Sequence, residues 1–347
     1  MFVNGLDVVT PAAIVDLDRL DDNLARWQAH CDRAGLANRP HVKTHKCIEI
    51  ARRQLELGAV GVTCQTLHEA EVMVRAGIRD VVLPYNVVGE RKLRQLSALL
   101  SHATVRVSAD DAALLPGLAS AAAGAGRELG VLVDCDTGLG RTGVTSPEAA
   151  AELGRQVAAT GGLRFDGLLT YPAPPGAREF LGRAAELLER QGLVPSIVSA
   201  GGTPAMWQSP ELAPVVNEYR VGTYAFHDRA TVAAGAASLD EVALTVAATV
   251  VSVRDGRAIL DAGSKALSSD RGPDENFGLV LEAPESKLHR LNEEHGYLAL
   301  APGERVALGV QVRIVPNHAC VVANLFEELI IVRNGQPETR WAVERGR

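Results

Sequence analysis

The run Arg39-Pro40-His41-Val42-Lys43-Thr44-His45-Lys46 reads as the end of a β-strand that passes directly into a helix. Pro40 suits a strand start, and Ile48 to Leu57 carries the apolar spacing of the helix that follows. His41 and Lys43 are two apart, so on a strand their side chains share a face. A lysine at the C-terminal end of a strand in a parallel barrel sits where such folds carry chemistry. Shielded from water there, it could lose its proton and form a Schiff base with an aldehyde. A basic surface turn is the alternative reading of the same residues, and the remainder of the chain decides between them.

On either side of this run, strand-like and helix-like segments alternate. Strands are predicted near Pro40–Lys43, Val60–Cys64, Asp80–Leu83, Thr104–Val107, Leu129–Cys135, Phe165–Leu169, Ser196–Ser199 and Asn217–Val221. Amphipathic stretches lie between most of them, including Leu67–Ala76, Glu90–Leu100, Pro147–Thr160 and Arg178–Gln191. This βα alternation predicts an α/β fold, a (β/α)8 TIM barrel over residues 20–235, with a doubly wound open sheet as the alternative. After about Ala236 the pattern changes to strands separated by turn signals such as Asp255-Gly256, Pro302-Gly303 and Asn334-Gly335. Those strands are Val242–Arg254, Arg257–Asp261, Phe277–Leu281, Gly296–Leu300, Arg305–Val315 and Leu329–Val332. They predict a second, mostly β domain. Ala12–Asp16 would be a ninth barrel strand, so it is assigned to that domain, which becomes residues 1–19 plus 236–347.

Composition narrows the function classes. The chain has 347 residues, 47% hydrophobic and 22% charged, with a net charge of −7. That balance argues against a general nucleic-acid or anionic-membrane binder. No apolar run reaches transmembrane length, and Met1 to Thr10 lacks the features of a signal peptide. Five scattered cysteines (Cys31, Cys47, Cys64, Cys135 and Cys320) fit a reducing, cytoplasmic setting better than a disulfide scaffold.

Four stretches carry candidate chemistry. In Asp134-Cys135-Asp136-Thr137-Gly138-Leu139-Gly140-Arg141, glycines follow a strand and admit close approach of a ligand, and Arg141 offers planar donors to a phenolate or carboxylate. In Ser199-Ala200-Gly201-Gly202-Thr203, backbone N–H groups and two hydroxyls suit a phosphate, without a nucleotide-binding fingerprint. Glu218-Tyr219-Arg220-Val221-Gly222 closes the eighth strand, where barrels commonly place phosphate sites. In Pro316-Asn317-His318-Ala319-Cys320, His318 and Cys320 share a face of an extended segment, so imidazole and thiolate could hold one metal ion, zinc above others.

With these segments in order, the sequence resembles the D-threonine aldolase and D-serine dehydratase family, pyridoxal-phosphate enzymes of the alanine racemase-like fold. The likeness runs from Thr10-Pro11-Ala12 to Arg340-Trp341. It is most specific at Pro40–Lys46, at Glu294-His295-Gly296 and at Pro316–Cys320, with Asp261-Ala262-Gly263-Ser264-Lys265-Ala266 a further run of the same kind. The resemblance implies that Lys43 carries pyridoxal 5'-phosphate, with His41 beside it and Arg141 facing the phenolic oxygen. It further implies phosphate contacts from Ser199, Gly201, Gly202 and Thr203, with Tyr219 and Gly222 nearby, and Tyr171 beside the cofactor ring. Where the family continues with glycine and histidine, this chain has Tyr171-Pro172-Ala173-Pro174. Arg220 matches in spacing the arginine that alanine racemases place at the pyridine nitrogen. His318 and Cys320 become ligands of a divalent metal, with zinc favoured over manganese or magnesium, and His318 with Lys43 becomes catalytic.

The implied function is a lyase acting on β-hydroxy D-amino acids, most simply a D-threonine aldolase that yields glycine and an aldehyde. Family aldolases carry His-x-Asp at the metal pair and dehydratases His-x-Cys, so Cys320 points to a zinc-dependent D-serine or D-hydroxyaspartate dehydratase as the alternative. Amino-acid racemisation and a non-catalytic cofactor-binding protein are further alternatives. A racemase needs no metal, and such binding proteins are single barrels. The resemblance also implies a homodimer, with no nucleic-acid or membrane partner.

Overall fold

The computed structural model describes residues 8–272 and 274–346. The first seven positions of the signal-peptide reading and of the 1–19 segment therefore lie outside the described residues, as does the last residue of 236–347. Packing divides the chain into two units. One comprises Trp27–Lys43 and Ile50–Gly222 with Gly346; the other comprises residues 8–26, Thr44–Glu49 and Thr223–Arg345.

In chain order the structure begins with β1 (Ala12–Asp16) and α1 (Leu17–Ala34). The parallel strands then follow as β2 (Ala37–Asn38), β3 (Val62–Thr63), β4 (Asp80–Leu83), β5 (Thr104–Ala109), β6 (Leu129–Cys135), β7 (Leu163–Thr170), β8 (Ile197–Gly201) and β9 (Glu218–Arg220). Between them lie α2 (Ile48–Glu56), α3 (Leu67–Arg75), α4 (Glu90–Leu100), α5 (Leu115–Ala125), α6 (Pro147–Ala159) and α7 (Ala177–Glu189). The sheet runs β2-β9-β8-β7-β6-β5-β4-β3. Its two ends meet where the Val60 and Thr63 N–H groups donate to Asn38 and Pro40 carbonyls and His41 bridges Thr63. The barrel is thus closed, and the open-sheet alternative falls.

Local sequence explains these elements. β6 is buried along its whole length, as a parallel strand covered on both faces should be. The Thr66 and Ser146 hydroxyls accept from Glu69 and Ala149 N–H groups at the starts of α3 and α6. Gly167 sits at a break in the β6–β7 register with φ 147°, and a Cβ there would lie 1.8 Å from the Ile197 carbonyl oxygen, so only glycine fits.

The barrel interior departs from the usual apolar filling. Arg39 donates to Glu218 and to Asp80, both at 2.6 Å. Arg106 continues the chain from Asp80 (2.9 Å) to Asp166 (2.8 Å), which Arg164 also reaches (2.6 Å). The first residue of the basic run is therefore buried and paired, which removes it from any basic surface turn. Removing one partner of the buried Arg39–Glu218 pair would leave an uncompensated buried charge, at a cost of about 3–5 kcal/mol.

The run itself differs from its sequence reading. No strand covers Pro40–Lys43: β2 ends at Asn38, His41 makes one isolated bridge, and Val42–Thr44 form a turn of 3-10 helix. The Lys43 N–H turns back to His41 Nδ1 (3.4 Å) instead of pairing with a neighbouring strand, so the two side chains do not alternate as strand residues.

The second unit is built on β10 (Leu244–Arg254), β11 (Arg257–Leu260), β12 (Leu279–Val280), β13 (Lys287–Leu291), β14 (Gly296–Ala299), β15 (Gln311–Val315), β16 (Glu328–Arg333) and β17 (Gln336–Ala342). The sheet order is β13-β14-β11-β10-β1-β16-β17, with β15 pairing β10 and β12. β1 pairs antiparallel with β10 and parallel with β16, so both ends of the chain share one sheet. Among the described residues three short helices accompany it: α8 (Arg229–Ala233), α9 (Ser264–Leu267) and α10 (Ala319–Leu325). Among the described residues no helix is long and apolar enough to cross a membrane.

Candidate active site

The predicted cofactor residues fall at the C-terminal ends of the barrel strands. Beyond β6, Asp136 to Gly143 form a loop closed on the strand by Asp136 and Val144 backbone bonds. The Asp136 carboxylate accepts from the Gly138, Leu139 and Gly140 N–H groups, which hold it below the ordinary carboxylate range. Gly143, at φ 114°, passes so close to the Asp136 nitrogen that a Cβ would lie 2.4 Å away. Thr137 ties this loop to the exit of β7, its hydroxyl 2.8 Å from Thr170 Oγ1 and 3.1 Å from the Pro172 carbonyl oxygen.

This scaffold puts the Arg141 guanidinium over the Tyr171 ring, 5.4 Å from its centroid. Gly202, at φ 128°, lies on the same ring: a Cβ on it would reach within 3.7 Å of Tyr171 Cε2. Tyr219 is buried, and its hydroxyl donates to the Gly202 carbonyl oxygen (3.2 Å). Burial pushes its phenol well above the ordinary range. The structure thus assembles Arg141, Tyr171, Gly202 and Tyr219 from four strand ends into one cluster, with Thr203 following in the same loop.

Ser199 and Gly201 stand deeper, within β8. The Ser199 hydroxyl donates to Glu218 (2.7 Å) and accepts from Arg220 Nη1, and Arg220 Nη2 donates to the Thr170 carbonyl (2.8 Å). Arg220 is therefore held inside the barrel by its own neighbours. Gly201 is required by close packing, since a Cβ would lie 2.6 Å from the Arg220 carbonyl oxygen.

Lys43 lies on the turn just past the β2 end, partly exposed. Among the described residues its Nζ has no ion-pair or hydrogen-bond partner. The His41 ring beside it is oriented by its own contacts. Nδ1 accepts from the Lys43 N–H, and Nε2 faces Gln65 Oε1 at 3.3 Å. That arrangement makes Nε2 the protonated nitrogen.

In the second unit the metal pair also differs from its sequence reading. His318 has extended backbone but immediately precedes α10, and Cys320 lies in the first turn of that helix. Pro316 and the apolar alternation before it suggest an extended run; the helix begins here because Asp228 Oδ2, distant in sequence, accepts the Ala319 N–H at 2.9 Å. The two side chains nevertheless converge. A hydrogen bond between them raises His318 to about 9. Burial pushes the Cys320 thiol up, but the interactions with His318, Thr223 and Thr44 outweigh it and hold the thiol below its ordinary value. Cys320 Sγ lies 3.1 Å from Thr44 Oγ1 and 3.4 Å from Thr223 Oγ1. Thr44 follows Lys43 directly in the chain, and Thr223 follows Gly222. His318 Nδ1 faces Asp270 Oδ2 at 3.1 Å.

These donors suit a divalent ion: a thiol already biased toward thiolate, and an imidazole with one nitrogen oriented by a carboxylate. Among the described residues no group of three or more histidine, cysteine or carboxylate side chains is set to enclose a metal. The rim cluster suits a flat phosphorylated aldehyde in the same way, with an unpaired amine at Lys43 and a glycine beside an aromatic face. Asp270, Thr223 and Gln65 were absent from the sequence reading. Nothing in the local sequence of Asp270 or Gln65 marks them, whereas Thr44 and Thr223 each adjoin a residue already singled out, Lys43 and Gly222.

Comparison with known proteins identifies the fold. Residues 15–230 match the alanine racemase N-terminal domain, and residues 243–332 match the putative serine dehydratase domain. The chain belongs to the D-threonine aldolase and D-serine dehydratase family of alanine racemase-like proteins. It is 35% identical to a D-threonine aldolase from Arthrobacter sp, over 97% of this chain and 92% of that one. The structure of D-threonine aldolase from Filomicrobium marinum superposes with a TM-score of 0.89 at 35% identity, covering 97% and 96% of the two chains. A cysteine-to-alanine variant of D-threo-3-hydroxyaspartate dehydratase, solved in the metal-free form, superposes with a TM-score of 0.89 at 32% identity over 99% of each chain. A second variant of that enzyme replaces a histidine two positions earlier.

Proposed function

We propose that this protein is a lyase on β-hydroxy D-amino acids that uses pyridoxal 5'-phosphate and a divalent metal, with retro-aldol cleavage to glycine and an aldehyde as its reaction. The observation that carries this reading is the presence, in a chain of this family, of a lysine whose Nζ has no partner among the described residues, at a barrel rim, and of a coupled imidazole–thiol pair. One of the hydroxyls against that thiol belongs to the residue that follows the lysine. In this reading residues 20–235 act as the cofactor-binding barrel, and residues 1–19 plus 236–347 as the β domain that bears the metal.

Lys43 Nζ holds the cofactor through its aldehyde, with His41 beside it. Arg141 would offer its guanidinium to the phenolic oxygen, and Tyr171 would stand beside the cofactor. Gly201, Gly202, Thr203 and Gly222 supply the backbone around the phosphate, braced by Tyr219 and Ser199. The bound cofactor supplies an electron sink for the pair released at Cα. His318 and Cys320 hold the metal, zinc by the softness of the thiolate, and the ion supplies a Lewis acid for the β-hydroxyl. Asp270 keeps the imidazole oriented.

Dehydration is the second reading, and Cys320 favours it. The solved D-threo-3-hydroxyaspartate dehydratase, one of whose cysteine variants is metal-free, supports a cysteine at this metal pair. In that reaction Lys43 Nζ would serve as the base for the α-proton, and an ion held by His318 and Cys320 would supply a Lewis acid for the departing β-hydroxyl. Incubation with D-threonine distinguishes the two. Acetaldehyde with glycine means aldolase, and 2-oxobutanoate with ammonia means dehydratase. Turnover of L-threonine at an equal rate would overturn both readings.

A further inference from the structure

Asn317, the residue before His318, is 3% exposed and fully engaged. Its Oδ1 accepts from Arg229 Nη1 (3.0 Å), and its Nδ2 donates to the Asp270 carbonyl (2.8 Å) and the Asn276 carbonyl (2.7 Å). Arg229, at the start of α8, also donates to Asn276 Oδ1 and to Asp274 (2.8 Å). The Arg229 and Ala230 N–H groups in turn donate to the Pro316 and Asn317 carbonyls (3.1 and 3.3 Å). One amide therefore joins three chain segments. The backbone at Gly272 passes so close that a Cβ would lie 2.6 Å from Asn317 Oδ1 and 2.7 Å from Arg229 Nη1. Nothing larger than glycine fits there without displacing the amide.

We propose that Asn317 is the positioning residue of the metal pair: by holding the Asp270 backbone, it fixes the Asp270 carboxylate against His318 Nδ1 and so presents the other imidazole nitrogen to the ion. The proposal rests on the reading of His318 and Cys320 as metal ligands. An outer group that fixes a ligand's orientation is commonly worth about tenfold to a hundredfold in metal affinity. The roles within the clamp separate by chemistry. Alanine at 317 removes the acceptor for Arg229 and both donors. Aspartate keeps the acceptor for Arg229 but removes both donors to the 270 and 276 carbonyls, so it loosens Asp270 while leaving the α8 side in place. Alanine at 272 leaves every hydrogen-bonding group present and only pushes the amide aside.

The test uses the full-length protein loaded with pyridoxal phosphate. Zinc affinity is measured by competition with a chromophoric chelator, and cobalt(II) is titrated while its thiolate absorption is followed. Asn317→Asp, Asn317→Ala and Gly272→Ala should each raise the zinc dissociation constant by about tenfold or more. The cobalt–thiolate band should still appear at saturation, because Cys320 is intact. Pyridoxal phosphate content should stay close to wild type, while the melting temperature of the metal-free protein falls because buried groups lose partners, so metal affinity is read on the folded fraction. A purely structural role would lower the melting temperature and leave the metal affinity of the folded fraction unchanged, which would overturn the proposal. If the Asn317 variants do not fold, Gly272→Ala and Asp270→Asn carry the same expectation, and unchanged zinc affinity in both overturns it. Zinc binding in His318→Ala equal to wild type would instead overturn the underlying metal-pair reading, and the clamp with it.

Discussion

His41-Val42-Lys43 in the barrel and His318-Ala319-Cys320 in the β unit have the same spacing and, from sequence, the same reading as strand residues sharing a face. In the structure both have left their strands and entered a helical turn. They differ in what the histidine is bonded to. His41 is tied to the Lys43 backbone N–H and to Gln65, which keeps its ring occupied and leaves the lysine side chain separate. His318 faces Asp270 through Nδ1, and its ring and the Cys320 thiol shift each other's protonation in opposite directions. Spacing supplied the candidates, and hydrogen-bond partners separate them: one histidine is held apart from its lysine side chain, the other is coupled to its cysteine.

The largest effect expected is at Lys43. Lys43→Ala should lose essentially all turnover while the protein still folds and still binds metal. Borohydride reduction followed by peptide mapping should place the pyridoxyl group on Lys43 in the wild type. A label on Lys46 or Lys265 would break the contrast at its barrel end.

The ligand pair comes next. Cys320→Ala should weaken metal binding by about tenfold or more and remove most activity, with the cofactor still bound. Cys320→Asp should turn metal preference from zinc towards manganese. Metal affinity measured in His41→Ala should match wild type, whereas His318→Ala should lose it. If the two histidine variants bound metal equally, the distinction between the motifs would be wrong.

A third histidine sharpens the same rule at a smaller scale. His227 is buried, takes φ 50°, and its Nδ1 has no hydrogen-bond partner among the described residues. Burial lowers it to about 4, with Arg26 adding to the effect. The neutral ring is thus favoured in the folded state, and the stability this represents is present above the unfolded value of about 6.5. It is lost as pH falls from there towards 4, amounting to no more than about 3 kcal/mol. His227→Asn, which tolerates positive φ, should flatten that part of a chemical-denaturation profile measured against pH. A slope identical to wild type would show that other groups set the acid limit.

Much of the scaffold was legible because burial leaves a one-dimensional trace. Ala12–Asp16 and Leu129–Cys135 are continuous apolar runs, and their sequence bounds are those of the strands formed. Lys287–Leu291 and Gln336–Ala342 left no such trace. They lie at the two ends of their sheet, with most side chains exposed, so their composition is that of loops. Arg305–Val315 was read too long because only Gln311–Val315 finds strand partners.

The sequence by itself determined the alternation that closes into a barrel, the β character of the second half, and the identity of Lys43, His318 and Cys320 as the residues to watch. Each depends on residue type and local periodicity, which the chain carries in order. The tertiary structure alone decided that Arg39 serves the barrel interior, and that Arg220 is bound by Ser199 and Thr170. It also decided that α10 begins at Ala319 under a carboxylate 91 residues away, and that Asp270 faces His318 with Asn317 holding the Asp270 carbonyl. Those facts rest on hydrogen bonds between groups far apart in the chain. A donor and its acceptor leave no mark on each other's local sequence, so the partnership exists only once the fold has brought them within reach.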